Sequence, residues 1–184
     1  MAGNTLKELY IDELRDLYDN ENQLIKALPK LAKAAESREL KSGIQHHLEQ
    51  TKEHAKRIEQ IFDALGETAQ GKKCKGIQGI ISEGNAALKE TPGGPVRDAA
   101  IIASAQRAEH YEIAAYGTVR EFAQLLSENE AASLIAQTLD EEKEADKKLT
   151  EAAQEVNQAA RSPQAEREGA PRRKATSAGA GGEG

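Results

Sequence analysis

Residues able to ligate a metal stand on helix faces that should be apolar. The stripe Leu14, Leu17, Leu24, Leu28 carries Glu21. Ile44, Thr51 and Ile58 share a face with His47 and His54. Ile102, Ile113 and Tyr116 share one with Glu109 and Glu112, and Ile135, Leu139 and Leu149 share one with Glu142 and Asp146. Unpaired buried carboxylates are very costly. Several converging at one depth call for a compensating cation. A pair of hard metal ions provides it, because each takes several carboxylate oxygens. The competing reading is a charged bundle whose inward glutamates pair with Arg107, Lys143 or Lys147.

Depth along the helices is consistent with convergence. Glu21 and His54 are 33 residues apart, as are Glu109 and Glu142. The offset from Glu21 to Glu109 and from His54 to Glu142 is 88 in each case. That suits two hairpins with a site between them. Di-metal bundles use one Glu from each of two helices and Glu-x-x-His from each of the others. The match is partial. The second helix offers Thr51-x-x-His54, with threonine in place of glutamate, and Glu49 and Gln50 lie off the centre of the face. The fourth long helix offers Glu142 and Asp146 without histidine.

The elements that position these residues are all helical. The spacing predicts a first helix from Leu6, capped by Asn4 or Thr5 and kinked at Pro29. A break near Ser37 precedes a second helix that Gly66 stops. A short helix is expected over 75–90, then the breaker Thr91-Pro92-Gly93-Gly94-Pro95. A third long helix runs from Val96 to Leu126, and Ser127 is expected to cap the fourth, with Glu130 completing a capping box. The fold class is therefore all-α: a four-helix bundle of two antiparallel helical hairpins, with the short helix in the crossover. Residues 1–160 form this domain, and 161–184, lacking any large apolar residue, read as a disordered tail.

Composition narrows the function. An aromatic content of 3% argues against a β fold, and the single cysteine, Cys74, against a disulfide framework. Cys74 lies between lysines that would lower its pKa, although an incidental loop thiol is the simpler reading. No apolar run reaches the ~20 residues of a membrane span, so a cytoplasmic setting is expected and no membrane partner. Residues 1–160 carry a net charge of −8 and the tail +2. The acidic body speaks against nucleic-acid binding, despite Arg172-Arg173-Lys174 in the tail.

Several stretches carry a family resemblance. They are Glu8-Leu9-Tyr10, Asp19-Asn20-Glu21-Asn22-Gln23-Leu24, Ala27-Leu28-Pro29-Lys30-Leu31, His47-Leu48-Glu49-Gln50-Thr51, Arg97-Asp98-Ala99-Ala100, Glu109-His110-Tyr111-Glu112 and Glu141-Glu142-Lys143. Over residues 4–160 the chain resembles the YciF-like branch of the ferritin-like superfamily, bacterial proteins described as stress-associated. The resemblance implies a ferritin-like bundle, a homodimer and a dinuclear metal site, with iron as the metal. Carried over by position, the ligands are Glu21, His54, Glu109, Glu112, Glu142 and Asp146.

Oxygen-rich ligands with one imidazole favour iron or manganese over zinc. Ferroxidase or peroxide-reducing activity is the expected chemistry, and nothing in the chain identifies a redox partner. Tyr18 and Tyr111, close to proposed ligands, are candidates for electron or hydrogen-bond donation, although packing is the commoner role. The alternative is a non-catalytic helical stress protein whose buried carboxylates are relics held by salt bridges.

Overall fold

A computed structural model describes residues 5–161 of the chain. Five helices follow in order: α1 (Leu6–Ala34), α2 (Arg38–Leu65), α3 (Lys75–Glu90), α4 (Pro95–Leu125) and α5 (Asn129–Ala160). Among the described residues there is no strand. The expected tail, beyond Arg161, lies outside the described residues, as does Asn4.

Local chemistry sets the ends. Thr5 caps α1 in a capping box with Glu8: the Thr5 side chain accepts the Glu8 N–H, and Glu8 accepts the Thr5 N–H. The helix then continues through Pro29, which stands on the exposed side. Ser37 caps α2, and Gly66, at φ 69°, ends it. There the Glu67 N–H bonds the Phe62 carbonyl and the Gly66 N–H bonds that of Asp63, a Schellman closure.

The same closure ends α4 and corrects one expectation. Ser127 does not cap α5. It sits at φ 61°, with its N–H on the Gln124 carbonyl and the Glu128 N–H on that of Ala123. An N-cap residue needs extended backbone, and a left-handed one cannot serve. Glu128 takes the N-cap position without a side-chain cap bond.

The helices pair through their apolar faces. Tyr18 reaches Glu59 and Arg15 reaches Glu67, so α1 and α2 are antiparallel. Gln106 reaches Thr150 and, one turn on, His110 reaches Asp146, so α4 and α5 are antiparallel too. α1 also packs on α4, and α2 on α5. α3 lies against α4 and α1. Asp98, buried near the start of α4, accepts the N–H groups of Glu36 and Ser37 at 2.9 and 2.8 Å and so pins the α1–α2 turn.

Two apolar clusters form the core. One gathers Tyr10, Leu14, Leu17, Ile58, Phe62, Val119 and Ile135. The other gathers Leu24, Leu28, Leu40, Ile44, Ile77, Ile101 and Ile102. Between them, in each chain segment that crosses, lie buried acids and histidines. Cys74 belongs to the second cluster. It is fully buried beside Tyr111, whose hydroxyl is 3.1 Å from the thiol. Burial pushes the thiol pKa up, against any lowering by the neighbouring lysines, in keeping with the simpler reading of an unreactive thiol.

Candidate metal centre

The layer between the clusters holds Glu21 from α1, His47 and His54 from α2, Glu109 and Glu112 from α4, and Glu142 from α5. All six are buried. Their ligating atoms fall into two groups. His47, Glu109, Glu112 and Glu142 form one, and Glu21, His54 and Glu142 the other; within each group the atoms lie within 4.8 Å of one another. Glu142 belongs to both. His47 Nε2 is 3.3 Å from Glu109 and 3.8 Å from Glu142. His54 Nδ1 is 2.8 Å from Glu142 and 3.9 Å from Glu21, without hydrogen-bond alignment to either.

Three of the six side chains have a supporting contact from outside the set. The Tyr116 hydroxyl donates to Glu21, and Asn20 donates to Glu112 at 2.6 Å. His54 Nε2 lies 2.8 Å from Glu141, which Arg57 grips with both guanidinium nitrogens at 2.6 and 3.0 Å. Five carboxylate oxygens nevertheless lack a hydrogen-bond partner: Oε2 of Glu21, Glu109 and Glu112, and both oxygens of Glu142. Buried polar atoms are normally satisfied. A cation at each group would satisfy these, so the donor set fits two hard or borderline metal ions.

Burial dominates the electrostatics. It pushes Glu21 up to about 7, against the pull of His54. It holds Glu109 and Glu112 well above the usual carboxylate range, and the charge of Glu142 adds to this. For Glu142 burial is outweighed by the two histidines, which hold it low. Burial also works against charge on His54, but Glu142, Glu21 and Glu141 overcome it and raise the pKa to about 9. His47, where burial wins, is lowered. Glu141 is drawn down to about 2, because Arg57 and His54 overcome its partial burial.

The structure brings together five of the six residues expected as ligands: Glu21, His54, Glu109, Glu112 and Glu142. Asp146 is the exception. It lies half-buried one turn past Glu142, 3.3 Å from both Gln106 and His110. Four residues advance a helix about 6 Å, which carries the carboxylate past the layer to its rim. His47 takes a place in the layer instead. The sequence showed it facing inward but gave it no ligand role, since the expected glutamate belonged at Thr51. Thr51 turns its hydroxyl to the His47 carbonyl at 2.8 Å, and Glu49 is exposed on Lys52. Tyr18 and Tyr111 bond Glu59 and Asp16, away from the layer, and Tyr116 makes the tyrosine contact. The lysines proposed as counter-charges pair elsewhere, Lys143 with Asp140 and Lys147 with Glu144.

Comparison with known proteins agrees on the family. The model of a domain of unknown function, DUF892, matches residues 5–161. The chain is 41% identical to protein YciF of Escherichia coli K12 over 154 residues, 83% of this chain and 93% of YciF. The crystal structure of the E. coli stress protein YciF superimposes with a TM-score of 0.82, covering 85% of this chain and 99% of that one at 39% identity. YcfI from Rhodopseudomonas palustris superimposes with a TM-score of 0.79 at 40% identity, covering 80% and 94%. The chain belongs to the DUF892 family and is a YciF-like protein.

Proposed function

We propose that this YciF-like chain is a ferritin-like four-helix bundle holding a dinuclear metal centre, with iron as the metal and manganese as the alternative. One observation carries the reading: five carboxylate oxygens without a hydrogen-bond partner in a buried layer, arranged as two ligand groups sharing Glu142. Glu109, Glu112 and His47 would hold one ion, Glu21 and His54 the other, and Glu142 would bridge. The low pKa of Glu142 suits a bridging carboxylate, which must be ionised.

Carboxylate-bound iron supplies reversible one-electron chemistry toward dioxygen or peroxide, which makes ferroxidase or peroxide-reducing activity the reading for turnover. The chain's own residues prepare the site. Tyr116 and Asn20 orient Glu21 and Glu112. Glu141 and Arg57 hold His54 by Nε2, which directs Nδ1 inward. The flanking apolar clusters lower the local dielectric and strengthen each charge interaction. A homodimer and a cytoplasmic setting belong to the same reading, and light scattering of the purified chain tests the first.

The second reading is a non-catalytic helical protein. A structural role has been suggested for the relative YcfI. The partial satisfaction of His54 by Glu141 favours it, but the five orphaned oxygens do not. Elemental analysis after anaerobic loading with ferrous iron and desalting separates the two. About two ions per chain, lost in both Glu21→Ala and Glu109→Ala, would support the metal centre. No retained metal, with both variants folded and no less stable, would leave the structural reading.

A further inference from the structure

A cavity of about 420 Å³ opens between α2 and α5. Small-ligand sites span roughly 300–1,000 Å³. Its walls are Leu28, Leu40, Ile44, Ala105, Leu149 and Ala152, and its inner end is His47 and Glu109. Those two residues each bring a buried polar atom without a partner: Nδ1 of His47 and Oε2 of Glu109. A smaller cavity of about 40 Å³ shares Leu28, His47, Ala105 and Glu109 with it and reaches Glu112. The space therefore leads from outside to one of the two ligand groups.

A glycine stands at the mouth. Gly43 lies within α2 and lines the cavity, yet a Cβ added there would meet nothing within 4 Å. Its backbone is not left-handed, so no conformational demand explains it. A glycine inside a helix destabilises it relative to alanine. What its absent side chain leaves is space. The rim offers Lys148 against Glu39 and Glu151, so it does not favour an anion.

We infer that this cavity binds a small amphipathic organic molecule, with its aliphatic body against the leucine and alanine walls and an oxygen-bearing head at His47 and Glu109. The apolar end of the inference stands on the cavity alone. The choice of head rests on the metal reading, because an anionic head meets an acidic floor unless metal ions are bound there. A carboxylate head then requires loaded protein, whereas an alcohol head does not.

Calorimetric titration with octanoate and 1-octanol, on loaded and chelator-treated full-length chain, tests this. The expected result is 1-octanol binding to both forms and octanoate binding to the loaded form only. Gly43→Leu and, from the facing helix, Ala152→Phe should weaken both by about tenfold or more, with metal content unchanged. Alcohol binding that Gly43→Leu removes, in a chain that retains no iron, would uphold the cavity and sink the metal centre. Neither probe binding to either form, or binding indifferent to both substitutions, would overturn the inference. So would a change of oligomeric state in Gly43→Leu, since a second copy would then be covering the mouth.

Discussion

His54 presents Nε2 to Glu141 at 2.8 Å and so turns Nδ1 toward Glu142 and Glu21. Glu141 sits outside the buried layer, but its contact fixes which nitrogen of His54 faces in. Partners of this kind on a ligating histidine typically change metal affinity by about 10–100-fold when removed. Glu141→Ala should therefore weaken ferrous binding by about that factor, while Glu141→Gln, which keeps an acceptor for Nε2–H, should lose much less. Competition with a chelator of known affinity measures both. Equal losses in the two variants would mean that Glu141 acts by its charge and not by orienting the ring.

Bound metal should stabilise the chain, and the metal-free chain should be strained. Ions that bind only the folded state add about 2.7 kcal/mol at a hundredfold excess over Kd. Glu109→Gln should abolish most of that gain. It should also leave the metal-free protein at pH 8 more stable than wild type by on the order of 1–3 kcal/mol, because it removes one of several crowded, buried carboxylates. Urea unfolding with and without chelator measures both effects. A metal-free variant less stable than wild type would show that Glu109 is already well accommodated.

The same crowding sets a pH dependence in the metal-free chain. Glu21 has its folded-state pKa raised from 4.5 to about 7, and His54 from 6.5 to about 9. A raised folded pKa means that the folded state binds the proton more tightly. Its stabilisation is complete below the unfolded value and is lost as pH rises through the folded one. Glu141 and Glu142 are lowered, so their contribution is lost instead as pH falls below the usual carboxylate range. Chelator-treated protein should thus unfold at lower urea at pH 8 than at pH 5, and Glu21→Gln should flatten that slope. Metal affinity should run the other way and rise with pH, because binding displaces these protons.

Much of this site was legible from helical periodicity. The recurrence of leucine and isoleucine gives the rotation of each helix, and rotation alone put Glu21, His54, Glu109, Glu112 and Glu142 inside. Periodicity says less about height. Asp146 shares the stripe of Glu142, yet it stands one turn away at the rim. His47 shares the stripe of His54 and stands one turn away within the layer. Which of the two turns meets the layer depends on how far each helix slides along its neighbour, and that is set by distant contacts such as Asp98 on the α1–α2 turn. The bond from Glu141 to His54 was hidden for a related reason, since it links residues 87 apart on two helices.

Ser127 shows the same limit in a single turn and yields a direct test. Serine before a helix reads as an N-cap, but here it ends the preceding helix at φ 61°. Gly66 does the equivalent work after α2 at φ 69°. The two turns share one hydrogen-bond pattern, and only one has the residue that adopts it without strain. Left-handed backbone costs an ordinary residue about 1 kcal/mol. Ser127 makes no cap bond that a substitution would forfeit, since α5 starts from Glu128 without one. Ser127→Gly should accordingly stabilise the chain by about 0.5–1 kcal/mol, net of the extra freedom glycine gives the unfolded chain. Ser127→Val should destabilise it, because a β-branched side chain fits this region poorly. Thermal unfolding of the two variants beside wild type decides it: a Gly variant that melts lower would mean the serine side chain holds the turn by a contact of its own.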